Sequence, residues 1–201
     1  WGIDVKNAML FANKHFADNN YQIIFEDDKC LGKDAVTVAH KFVEIDHVQF
    51  AVGSCSATVL SAAPVYAAAN VIQMSSVASS SKVGKASPAI YRTIPSDRDS
   101  ARVLYSYIAQ KHQVLGVLTE TADYSSDFYE EILSNNKDGK IKIINEFYLP
   151  EESNFSSLLL KFKKAKIDGV LVNANSERSF FTILKQIKSL RIQVPIYGAL
   201  I

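Results

Sequence analysis

Residues 51–66 read AVGSCSATVLSAAPVY, and the order of residue types within them sets the architecture. Ala51 and Val52 close a short apolar run of β type, and Gly53 lets the chain turn. From Ala57 onward an alanine-rich stretch carries helical spacing. Ser54, Cys55 and Ser56 therefore lie on a loop that leaves a strand and enters a helix. Serine at such a position commonly caps its own helix. The same hydroxyl, together with the helix's free N–H groups, is also suited to receive an anion.

The strand-to-helix step repeats along the whole chain. Val5, Ala8, Met9, Ala12 and Phe16 mark a first helix over 2–17, and YQIIF (21–25) reads as a strand ending in Glu26, Asp27 and Asp28. A second helix carries Ala35, Val38, Ala39, Phe42 and Val43, followed by the strand VQFAV (48–52). A helix over 57–69, the strand NVIQM (70–74) and the strand AIYRT (89–93) complete the first half. After PSD (95–97) the pattern gives helix 98–111, strand 114–119, helix 126–136, strand 142–149, helix 156–165, strand 168–173, helix 177–190 and strand 194–198. Strands alternating with helices imply parallel sheets joined by right-handed crossovers. IPSDRD (94–99) is the expected seam, giving lobes over 1–95 and 96–201.

Composition narrows the function classes. A 201-residue chain with net charge +1 and 48% hydrophobic residues has the material for a buried core. That balance argues against a disordered tail or a basic nucleic-acid binder, so no nucleic acid is expected as a partner. No apolar run approaches the roughly 20 residues of a membrane helix, and no signal peptide is visible.

In parallel sheets, ligands gather at the carboxyl ends of the strands. Two further loops at such ends are rich in hydroxyls, SSVASSS (75–81) and DYSSD (123–127), the latter carrying Tyr124. Each alone reads as turn chemistry. Together with the 54–56 loop they describe a cleft lined with neutral hydrogen-bond donors.

Catalytic readings fare less well. GSCSA is not the G-x-S-x-G elbow of a hydrolase. His15, His40, His47 and His112 fall in expected helices or just before strands, as ordinary surface histidines do. Asp27 and Asp28 follow a strand as the magnesium-binding acids of a receiver domain do, but a second α/β half follows here. No metal-ligand spacing occurs, so neither metal nor cofactor is expected. Lys161, Lys163, Lys164 and Lys166 read as a solvated helix end, and Asn154-Phe155-Ser156 as a chance sequon.

Six segments carry a family resemblance: FEDDKCLGKDAV (25–36), AVGSCSATVLSAAPVY (51–66), IQMSSVASSS (72–81), YRTIPSDRDSA (91–101), TETADYSSDF (119–128) and ESNFSSLLLKFKKAKIDGVLV (152–172). In order and spacing, the chain resembles the type I periplasmic solute-binding proteins, in particular the Leu/Ile/Val-binding group of branched-chain amino-acid ABC transporters. The resemblance implies two doubly wound parallel-sheet α/β lobes that close on a ligand. It also implies truncation at both ends, with a first strand expected ahead of Trp1 and an incomplete second lobe. By the same resemblance Ser56 and Ser79 meet a ligand carboxylate and the Val77 carbonyl faces its ammonium. Tyr124 and Trp1 would line the pocket, as would Asn175, which stands where some members carry tyrosine. Leu200 departs from the pattern, standing near an acidic residue that pairs the ammonium, for which Asp123 or Glu177 are the nearby substitutes. Cys30 and Cys55 match a disulfide pair, which implies an oxidising compartment.

The implied protein is a monomeric, non-enzymatic, periplasmic or extracytoplasmic receptor. It takes an amino acid or related carboxylate and delivers it to a membrane permease. Two alternatives stand beside it: a sensory ligand-binding domain of the same fold uncoupled from transport, or a receptor for a carboxylate or aromatic acid lacking an ammonium group.

Overall fold

The computed structural model describes residues 2–199, and Trp1 and Leu200 lie outside them. The chain parts between Ser96 and Asp97 into two compact units.

In the first unit the strands β1 (Phe50–Gly53), β2 (Ile72–Ser75) and β3 (Ile90–Arg92) pair in parallel in the order β1-β2-β3. Helices α1 (Gly2–Phe16), α2 (Gly32–Glu44), α3 (Ser56–Ala68) and the single-turn α4 (Val83–Ala86) complete it. Strand side chains alternate between faces. Ala51 and Gln73 point to the buried side, where Ala35, Ala39, Ala62 and Tyr66 of α2 and α3 form the core. Small side chains bring these helices close together. A Cβ on Gly32 would stand only 2.4 Å from the Ser61 hydroxyl. The other sheet face carries Phe50, Val52, Ile72, Met74 and Tyr91, all exposed, with Val52 opposite Met74 and Met74 opposite Tyr91.

Two local expectations are corrected. Tyr21–Phe25 forms no strand. A strand exists only through its ladder, and β1 has a partner only on its β2 side among the described residues. The acids after this segment have turn roles. Asp27 Oδ1 accepts the Lys29 N–H and Asp28 Oδ1 accepts the Cys30 N–H, each at 2.9 Å. These Asx turns hold Lys29 and Cys30 at φ 53° and 55°. Cys30 thereby meets Cys55 in a disulfide with Cα atoms 5.6 Å apart.

The second unit contains α5 (Asp97–Ile108), β4 (Val114–Glu120), α6 (Asp123–Asn135), β5 (Lys142–Tyr148), α7 (Ser156–Lys164), β6 (Gly169–Asn173), α8 (Glu177–Ser189) and β7 (Ile196–Gly198). Its sheet is parallel in the order β5-β4-β6-β7. Leu115, Val117 and Leu171 face α5 and α6, while Leu118, Val170 and Val172 face Leu159 and Phe162 of α7 and Ile183 and Ile187 of α8. The sheet is covered on both sides, which explains the unbroken apolar run of β6. His112 corrects the surface assignment. It is buried, its Nε2 lies 2.7 Å from the Tyr197 hydroxyl, and its Nδ1 is 3.3 Å from Asp168 Oδ1.

Candidate ligand-binding site

Every loop singled out from the sequence emerges at the carboxyl end of a parallel strand. In the first unit, Ser56 is the first residue of α3 and is 8% exposed. The helix N-cap is Cys55, whose side chain makes no capping bond. Ser56 Oγ instead accepts the backbone N–H of Ser80 at 3.3 Å, tying the β1–α3 loop to the loop after β2.

That second loop is held from within. Ser75 Oγ accepts the Ala78 N–H at 3.0 Å, and the Ser76 hydroxyl donates to the Gly53 carbonyl at 3.2 Å. Arg92, at the end of β3, donates from Nη1 to the Ser79 and Ser80 carbonyls at 3.1 and 2.9 Å. Val77 and Ser79 are half-buried on this braced loop. Ser56, Val77 and Ser79 therefore share one edge, with Ser80 and Arg92 as supporting groups that sequence reasoning missed. Arg92 lay within a quoted segment, but nothing local marks a strand-end arginine as the brace of a loop more than ten residues earlier.

In the second unit the chain leaves β4 for β5 on one side and returns to β6 on the other. The gap between the carboxyl ends of β4 and β6 is thus a topological switch point, where ligands of open α/β sheets bind. Tyr124, on the first turn of α6, and Asn175, on the loop after β6, border it. Asn173, wholly buried at the end of β6, donates from Nδ2 to the Ser125 carbonyl at 2.7 Å, joining the end of β6 to the first turn of α6. The Tyr124 hydroxyl donates to the Ala199 carbonyl beyond β7. Burial and then the negative charge of Asp97 push the Tyr124 phenol well above its ordinary range, so it acts as a neutral donor. Asn175 is exposed, and its backbone N–H donates to Glu120 Oε2 at 3.1 Å. Asp123 and Glu177 are exposed at the starts of α6 and α8.

Glu120 is the second group that sequence reading passed over. It ends β4, is 2% exposed, and its Oε2 also accepts the Tyr148 hydroxyl at 3.1 Å. Burial, followed by Glu120's charge, raises the Tyr148 pKa far above the phenol range. The run LTETA gives no periodic sign that its acid points inward. Among the described residues, no group of three or more His, Cys, Asp or Glu is arranged to hold a metal ion.

Comparison with known proteins gives the arrangement its context. The sequence profile of the family described as "Periplasmic binding protein" matches residues 1–201. A leucine-, isoleucine-, valine-, threonine- and alanine-binding protein of Pseudomonas aeruginosa is 29% identical over 170 residues, covering 81% of this chain and 45% of the relative. Two solved structures share the fold. An ABC-transporter substrate-binding protein of Desulfitobacterium hafniense in complex with Leu has a TM-score of 0.71 at 22% identity, covering 88% of this chain and 54% of that one. A solute-binding protein of Rhodopseudomonas palustris BisB5 with 3,4-dihydroxybenzoic acid has a TM-score of 0.82 at 20% identity, covering 98% and 57%. The chain spans about half the length of these relatives. A profile match that runs through both units, on a fold whose loops meet at the strands' carboxyl ends, leads to one conclusion: the chain belongs to the periplasmic binding protein family.

Proposed function

We propose that this chain is part of an extracytoplasmic, non-enzymatic solute receptor that captures a small carboxylate-bearing ligand, foremost an amino acid, and presents it to the permease of an ABC transporter. The observation that carries this reading is the junction at Ser56. Its Oγ accepts the Ser80 N–H, and a hydroxyl that accepts keeps its own hydrogen to donate. The start of α3 has no side-chain cap, so helix-end N–H groups and the helix dipole also favour a carboxylate there. Val77 and Ser79 on the neighbouring loop are the further ligand contacts we propose in the first unit, and Tyr124 and Asn175 those at the second unit's own strand ends. The disulfide supports an oxidising compartment.

The ligands named for the similar proteins, aliphatic amino acids with threonine and a dihydroxybenzoic acid, have a carboxylate in common. An aromatic or des-amino acid is the second reading, favoured by Leu200 at the position where the Leu/Ile/Val-binding pattern has an acid.

Calorimetry on the intact protein with leucine, phenylalanine and their des-amino analogues tests the assignment. Ser56→Ala should weaken every bound carboxylate by about 1.5–3 kcal/mol, as for a hydrogen bond to a charged group. Unchanged affinity would remove Ser56 from the carboxylate site. Mass spectrometry of ligand carried through native purification identifies the solute directly.

A further inference from the structure

Resting on that reading, we infer that Glu120 determines the charge class of the ligand: its buried carboxylate makes the second unit's binding edge favour solutes that carry a cationic group beside their carboxylate. Among the described residues, no lysine, arginine or histidine pairs with Glu120. Its two partners, the Tyr148 hydroxyl and the Asn175 N–H, are neutral donors, and both bind the same oxygen. These bonds hold the carboxylate without cancelling its charge. A carboxylate has lone pairs on both oxygens, and both of these bonds use Oε2.

Position makes that charge relevant to a ligand. Glu120 ends β4 at the switch point, three residues before the start of α6 and hydrogen-bonded to the loop that leads into α8. Tyr124 and Asn175 border the same gap. With little water around it, the carboxylate acts on its surroundings through a lower effective dielectric than exposed acids do. Asp123 and Glu177, the acids that sequence proximity suggests, are exposed and screened. Glu120 also positions the Asn175 backbone, so charge and clamp must be separated experimentally.

Glu120→Gln keeps the side chain's shape and an acceptor oxygen while removing the charge; Glu120→Asp keeps the charge and shortens the reach. Calorimetry on the intact protein compares L-leucine with 4-methylpentanoate, and L-phenylalanine with 3-phenylpropanoate, with melting temperatures recorded for each variant. The wild type should prefer the amino acid of at least one pair by tenfold or more. Glu120→Gln should lose most of that preference while the affinity for the des-amino acid holds or rises, and Glu120→Asp should retain it. A wild-type preference for the des-amino acids overturns the inference and leaves the carboxylate reading standing. Equal loss for both members of a pair, loss in the Asp variant as well, or no change in the Gln variant also overturns it. If no carboxylate binds the wild type, the functional reading falls and takes the inference with it.

Discussion

Asp168 joins two strands of the second unit at their amino ends. Its Oδ2 accepts the Gln113 N–H at 2.8 Å and its Oδ1 the Val114 N–H at 3.1 Å. Burial pulls the carboxyl pKa upward, but the Gln113 and Val114 N–H groups and then His112 outweigh it, so the group titrates below the ordinary carboxylate range. A carboxyl whose pKa is depressed by folding stabilises the fold fully above its unfolded value, about 3.9. That contribution is lost as pH falls through the folded value. The side chain is 43% exposed, so solvent screens the effect. Urea midpoints should therefore decline through the acid range, and Asp168→Asn should lower the neutral-pH midpoint while flattening the acid decline. An acid limb of unchanged slope in the variant would assign the decline to other groups. The neighbouring His112 illustrates why residue identity alone misleads. A histidine just before a strand is ordinarily solvated, yet here the ring packs on Gly169, where an added Cβ would sit 3.0 Å from it.

Among the elements, the turn before α2 matters most for stability. Two Asx turns hold left-handed residues that bring Cys30 to Cys55, a partner 25 positions along the chain. Closing that loop stabilises the native state by roughly 3–4 kcal/mol in the chain-entropy model. Thiol titration of unfolded, unreduced protein should find no free thiol, and reduction should lower the unfolding free energy obtained from urea titration by that amount. Two free thiols in protein made under oxidising conditions would remove the support for an extracytoplasmic location. The helix starts differ in a related way. At α8, Ser176 caps by accepting the Ser179 N–H, and at α7, Asn154 accepts the Ser156 N–H. At α3 and α6 no side chain caps the helix. The N-cap residues of α2, α4 and α7 make no side-chain capping bond either, so the open starts that carry Ser56 and Tyr124 are not exceptional among the described helices.

On the scale of the molecule, the two units differ in how completely their sheets are covered. The second unit's sheet has packed helices on both faces, with Leu118, Val117 and Leu171 fully buried. In the first unit, Phe50, Val52, Ile72, Met74 and Tyr91 leave one face open, and no residue of α1 is buried. Local opening is easiest where apolar contacts are few. Native-state hydrogen exchange on the 201-residue chain should show the slowest amides in β4 and β6, with β1 and β2 exchanging measurably faster. Equal protection in both sheets would mean that the open face is covered in solution.

Sequence by itself determined the alternation of strands and helices, the parallel sheets and the clustering of hydroxyls at strand ends. These follow from periodicity and turn chemistry, which act over a few residues. It also carried the family pattern, through segments whose order and spacing survive modest identity. Tertiary structure alone decided that Tyr21–Phe25 is not a strand, because a β-prone run needs a partner it does not itself encode. Only the fold revealed Ser80 against Ser56, Arg92 behind the serine loop and Glu120 beneath Asn175. Each of these contacts joins residues at the carboxyl ends of different strands or in the segments that follow them. Their energy depends on sheet order and burial, and neither is a property of any local stretch of chain.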